Sequence, residues 1–156
     1  MHRISDPAAL KPLVGQELGL SDWLMVDQAR IDGFARVTGD DQWIHVDVER
    51  AKGEMPGGRT IAHGYLTLSL IPILARQILM FEHGRRVNYG LNRVRFTSTV
   101  PSGARIRLRM KLVAADDVPD SGIRLTFEST MELEGGARPA LVAEHMTIAY
   151  PPRAAS

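Results

Sequence analysis

The segment from Ile61 to His83 constrains the fold more than any other. Ile61, Leu66, Leu68, Leu70, Ile71, Ile73, Leu74, Ile78 and Leu79 fall on nearly every face of a helix. Apolar residues all round predict a helix buried on all sides rather than one lying amphipathic on a surface. Its most apolar part, Leu66 to Phe81, contains Arg76 and Gln77 and is too short to span a bilayer. Pro72 removes a backbone hydrogen bond and predicts a kink, and Gly84 can end the helix. The remaining chain must therefore supply a cover for this helix.

Four strands follow it. Arg86 to Thr97 is one. Arg105 to Ala114 alternates Ile106, Leu108, Met110 and Leu112 against Arg105, Arg107, Arg109 and Lys111. Ile123 to Glu134 alternates less cleanly, and Leu141 to Tyr150 is the last; Pro101-Ser102-Gly103, residues 116–122 and Gly135-Gly136 punctuate them. Ahead of the long helix, Val14 to Val26 predicts a strand interrupted near Ser21 and Asp22. Asp27 is an N-cap candidate, with Ile31, Phe34, Ala35 and Thr38 at helical spacing and Gly39 where a left-handed C-cap belongs. A helix over 27–38 follows, although Gly33 costs it about 1 kcal/mol relative to Ala. Residues 39–60 are polar and glycine-rich, with a short helix over Asp47 to Lys52 and a turn at Met55-Pro56-Gly57-Gly58. An antiparallel sheet wrapped around one central helix satisfies this order; it is the α+β arrangement called a hot dog. The length, 156 residues, suits a single domain, with 1–13 and 151–156 as loose ends.

Composition narrows the function. Nineteen Lys and Arg against eighteen Asp and Glu give a net charge of +1, without the basic excess typical of proteins that bind nucleic acid or anionic membrane. No cysteine is present, which excludes a disulfide framework, a Cys nucleophile and a thiolate metal site. Residues 1–11 contain no apolar stretch of signal-peptide length, so the expected setting is the cytoplasm.

Two segments carry candidate chemistry. Asp40 and His45 lie five residues apart across a polar loop after a predicted helix end. A carboxylate and an imidazole can share one water, one accepting its proton while the other orients it or returns a proton. On spacing alone, Asp40 is equally readable as a turn residue and His45 as a packed one. The second segment is Thr60-Ile61-Ala62-His63-Gly64-Tyr65, at the start of the central helix. Free N–H groups there bind developing negative charge, and Gly64 admits a close ligand; a tight packing contact explains the glycine too. His63 is readable as a core histidine bonded to a carbonyl. Asp41, Asp47 and Glu49 read as loop or cap residues, and the spacing of His45, Asp47 and Asp40 matches no helical metal motif, so no metal is expected. The basic face of the strand at Arg105 reads as solvated or as an attractor of phosphate, as do Arg85 and Arg86.

The run Phe34, Thr38-Gly39-Asp40, Ile44-His45 and Ala51 resembles the signature of MaoC-like dehydratases, the family of (R)-specific enoyl-CoA hydratases. Ile61-Ala62-His63-Gly64-Tyr65 resembles the second stretch of that family. Tyr89-Gly90-Leu91-Asn92-Arg93-Val94-Arg95-Phe96 with Val100-Pro101-Ser102-Gly103 resembles its strand after the central helix. The three blocks keep the family's order and cover Asp27 to about Leu112. Where the hydratase pattern has Asn-Pro, this chain has Gln42-Trp43, which is similar to the nodulation protein N-like subgroup. The resemblance implies a hot-dog lyase that adds water to C3 of a trans-2-enoyl thioester, or removes it from an (R)-3-hydroxyacyl thioester. Asp40 and His45 take its catalytic positions and the Gly64 N–H holds the thioester oxygen. His63, Trp43 and Met55 are candidates for substrate contact, with Met80 a second candidate beside Met55 for the acyl pocket. Trp43 can equally pack beneath its loop. No cofactor is implied, since coenzyme A belongs to the substrate; the partners implied are an acyl-CoA or acyl-carrier thioester and a second copy of the chain. Two rivals on the same fold are a thioesterase and a non-catalytic acyl-thioester binding protein.

Overall fold

The computed structural model describes residues 1–152. Eight strands and five α-helices make it up: β1 (His2–Ile4), β2 (Glu17–Leu20), β3 (Leu24–Val26), α1 (Gln28–Thr38), α2 (Trp43–Val46), α3 (Val48–Glu54), α4 (Gly64–Ser69), α5 (Ile71–Ile78), β4 (Leu79–Phe81), β5 (Arg85–Phe96), β6 (Ala104–Val118), β7 (Gly122–Leu133) and β8 (Leu141–Tyr150). The main sheet runs β2-β6-β7-β8-β5, every pair antiparallel, and β3 pairs further along β6. The sheet curves around α4 and α5, which is the hot dog expected from the sequence.

The local signals explain the elements. Asp27 caps α1 by accepting from the Arg30 N–H at 2.9 Å, and Gly39 closes it with φ +76°. Asp47 caps α3 in the same way. Along β6, Ile106, Leu108, Met110 and Leu112 are sealed in the core with Leu74, Ile78, Leu125 and Met131. The arginines between them face out and are paired. Arg105 meets Glu134, Arg107 meets Glu132, and Arg109 meets both Glu17 and Glu132. Hydrogen bonds that Arg109 donates to Glu17 and Glu132 hold its pKa above the ordinary value. These three arginines are therefore committed to neighbouring strands and are not a free phosphate-binding face.

Three expectations need correction. The central helix is two helices: α4 ends at Ser69, Leu70 joins the two, and Pro72 lies in the first turn of α5, where it gives no N–H to the Leu68 carbonyl. The helical segment also starts later and ends earlier than 61–83. Ile61 makes an extended bridge to Pro101, while Leu79–Phe81 is a strand parallel to β1. Nor is the helix covered on all sides: Tyr65 is 67% exposed and Ile73 49%. Tyr65 meets Phe96 of β5 edge-on at 5.7 Å, and β5 is an edge strand with Val87, Tyr89, Leu91 and Phe96 also in the open.

The N-terminal residues are not a loose end. Asp6 caps a 3-10 turn over Pro7–Leu13, and Leu10 is fully buried in the core. At the other end Pro151 and Pro152 lack regular structure, and the rest of the expected tail lies outside the described residues. No described helix is long and apolar enough to cross a membrane. Because Leu10 is a core residue, Leu10→Ala is expected to lower the unfolding free energy by about 2–5 kcal/mol in urea denaturation. A loose end would lose almost nothing.

Candidate functional site

The loop after α1 and the lead into α4 are laced together. His63 donates from Nε2 to the Asp40 carbonyl at 2.8 Å, and His45 donates from Nδ1 to the Ile61 carbonyl at 2.7 Å. The Ile61 N–H returns a bond to the Ile44 carbonyl at 3.0 Å. Since a carbonyl can only accept, these contacts assign the ring protons. Neutral His45 carries its proton on Nδ1 and presents a lone pair at Nε2, and neutral His63 presents one at Nδ1. The two rings stack with centroids 3.8 Å apart, and Phe34 packs against His63 at 4.9 Å.

Both histidines are buried, while the Asp40 side chain is exposed. A carboxylate oxygen of Asp40 and one ring nitrogen from each histidine lie within 4.8 Å of one another. That is close enough for one water to bridge carboxylate and imidazole. As a metal set it is loose, because donors about 2.1 Å from a tetrahedral ion sit roughly 3.4 Å apart. His63 Nδ1 is buried without a hydrogen-bond partner. The sequence reading of His63 as a core histidine bonded to a carbonyl matches what it does here.

Gly64 begins α4. A Cβ there would lie 3.0 Å from the exposed Phe96 ring, which would have to give by a few tenths of an ångström to admit a side chain. The close packing accords with a glycine here, and the first N–H of the helix has no intrahelical partner. The Trp43 ring carries the Arg50 guanidinium 4.0 Å above it, an arrangement of packing beneath the loop. Met55 ends α3.

A network invisible at the level of motifs holds His45 in place. Gln28, in the first turn of α1, donates from Nε2 to the His45 carbonyl at 2.8 Å and to Asp32 at 2.7 Å. Its Oε1 accepts from the hydroxyl of Thr60, which is 1% exposed. The only sequence hint was a pair of polar residues flanking apolar runs.

A cavity of about 700 Å³ opens one turn further along α4. It starts at Leu68 and Ser69, four to five residues and so roughly 6–7.5 Å of helix rise from Gly64. Ala75 of α5 forms one wall; Leu91, Phe127 and His145 form the other. Met110 and Met146 line it, whereas Met55 and Met80 do not. Arg86 also lines it; burial and the nearby Arg76 hold its pKa below the usual value. Burial pushes the His145 pKa down to about 4.

Comparison with known proteins agrees with this architecture. A model of the MaoC like domain matches residues 10–130. The 3-hydroxyacyl-thioester dehydratase Z of Mycobacterium tuberculosis is 43% identical over 145 residues, 92% of this chain and 95% of that protein. Nodulation protein N of Rhizobium leguminosarum bv. viciae is 46% identical over 150 residues, 95% of this chain and 92% of that protein. Among solved structures, an R-hydratase of Pseudomonas aeruginosa superposes with a TM-score of 0.70 at 22% identity, covering 96% of this chain and 87% of that one. An (R)-hydratase of A. caviae gives 0.69 at 21%, covering 89% and 96%.

Two outcomes follow from these contacts. Gln28→Ala strips buried partners from Thr60 and the His45 carbonyl, and is expected to cost about 1–3 kcal/mol in urea denaturation. His145 resists protonation only while folded, so the unfolded chain binds its proton first as pH falls. Stability is then lost between the ordinary histidine pKa near 6.5 and about 4, by about 3 kcal/mol in all. His145→Gln should remove that part of the slope, read as unfolding free energy against pH beside wild type.

Proposed function

The chain belongs to the MaoC-like domain family, and from that premise we propose that it hydrates trans-2-enoyl thioesters and, in reverse, dehydrates (R)-3-hydroxyacyl thioesters. Its class is hydratase or dehydratase, a lyase. The observation that carries the detailed reading is the tautomer of His45. With Nδ1–H committed to the Ile61 carbonyl, Nε2 is the ring's acceptor, and a ring nitrogen of His45 lies within 4.8 Å of an Asp40 carboxylate oxygen.

In this reading Asp40 orients a water while His45 Nε2 accepts one of its protons. The water oxygen bonds C3, the π electrons move toward the thioester oxygen, and the imidazolium–carboxylate pair returns a proton at C2. Enolate charge develops on the thioester oxygen. The unpaired N–H of Gly64 is the donor aimed at it, and it stabilises that charge more than it stabilises the neutral carbonyl. The scheme needs no metal or redox cofactor, and coenzyme A enters as part of the substrate, with an acyl-carrier thioester as the variant. His63 positions the site by holding the Asp40 backbone and underlying His45, rather than by touching substrate.

The same reading includes a homodimer. The twelve-residue strand β5 is paired on one side only, and its exposed Val87, Tyr89, Leu91 and Phe96, with Tyr65 beside Phe96, form a surface that a second copy would cover. A cytoplasmic setting is proposed with it, in keeping with the absence of cysteine.

The test is loss of the conjugated enoyl absorbance of crotonyl-CoA and a longer trans-2-enoyl-CoA. Asp40→Asn and His45→Gln should each lower kcat/KM by roughly 10²-fold or more. Asp40→Asn should also unfold at the wild-type temperature, because its backbone carbonyl, not its exposed carboxylate, makes the bond to His63. Near-wild-type turnover in either variant would overturn the assignment, and release of free thiol would mark a thioesterase instead.

A further inference from the structure

The cavity wall opposite α5 holds a polar pair that the hydration chemistry does not use. Ser129 of β7 is fully buried, and its Oγ lies 3.2 Å from His145 Nδ1 on β8. Phe127 stacks on the His145 ring at 5.2 Å and fixes its plane. Proton placement follows from what each atom can reach. Among the described residues the Ser129 hydroxyl has no partner except His145, so a proton on Nδ1 would leave the buried O–H with no acceptor. The hydroxyl therefore donates to Nδ1, and the neutral ring carries its own proton on Nε2.

That N–H makes no hydrogen bond among the described residues. It is not sealed away either, since the buried side-chain atoms without partners are Arg30 Nε and His63 Nδ1. His145 lines the cavity, so the free donor faces the space along α4 and α5. A plain alkyl chain filling that space would bury the N–H unpaired, and a site built around a donor discriminates against chains lacking the acceptor. Because the ring stays neutral near pH 7, it offers a carboxylate no compensating charge; an uncharged oxygen suits it better.

We propose that His145 Nε2–H, held by Ser129, recognises an uncharged carbonyl or hydroxyl oxygen on the acyl chain, so that the preferred substrates are oxygen-bearing enoyl or 3-hydroxyacyl thioesters. The inference rests on the hydratase reading for its substrate and deepens it. The test compares kcat/KM for trans-2-octenoyl-CoA with counterparts carrying one ketone oxygen at successive carbons beyond C3. At least one oxo substrate should exceed the plain chain by about tenfold or more. His145→Leu should bring that ratio to about one, and His145→Gln, which keeps a donor near the Nε2 position, should retain part of it. A ratio near one for every oxo substrate in wild type, or a ratio that survives His145→Leu, would overturn the proposal. Calorimetric binding of saturated octanoyl-CoA and its oxo counterparts reads the same preference without turnover. An oxo preference in binding that His145→Leu removes, with no enoyl-CoA hydrated, would overturn the hydratase reading and keep the donor site. Equal binding would overturn the donor site.

Discussion

The two crossed hydrogen bonds between histidine rings and backbone carbonyls, His63 to Asp40 and His45 to Ile61, hold together what the chain separates by some twenty residues. Each bond does two things. It ties the loop after α1 to the lead into α4, and it fixes which nitrogen of the ring is left with a lone pair. Remove either and the loop loses its anchor while the other ring nitrogen loses its identity as acceptor. Gln28 adds a third restraint by holding the carbonyl of His45 from α1. The site is therefore positioned mostly by backbone groups, which is why α1, the loop and α4 must fold together before Asp40 and His45 have any chemistry.

Around that knot the sheet supplies a floor, and the helices supply a lid only on the side nearest β2 and β6. On the β5 side the lid is incomplete. Tyr65 and Phe96 remain open, and the cavity lies between α5 and the strands β5 and β8. A single chain thus leaves apolar surface beside this cavity, which is the surface the proposed dimer would cover.

The parts legible in the sequence are those whose cause is local. Asp27 and Gly39 bracket α1 because capping is decided within four residues, and the alternation from Ile106 to Leu112 announces β6 because one face of a strand is buried. The MaoC-like blocks contain Asp40, His45 and His63, and the fold brings those three side chains within 4.8 Å of one another. What the sequence hid depends on distant partners. Leu79–Phe81 reads as the end of a helix until β1 is there to pair with it. Arg105, Arg107 and Arg109 look like a free cationic face because Glu17, Glu132 and Glu134 arrive from other strands. The Gln28–Thr60 contact spans 32 residues and has no periodicity to betray it.

The break at Leu70 has a consequence for how such a protein can change over time. Gly64, the proposed oxyanion donor, belongs to α4, while Pro72 and Ala75, on the cavity wall, belong to α5. Pro72 donates no backbone bond to Leu68, so the hydrogen-bond ladder is thinned between the two segments. Substitutions on α5 can reshape the cavity, the proposed space for an acyl chain, with little disturbance carried back to Gly64. Selectivity is free to drift through an evolving lineage while the chemistry stays put.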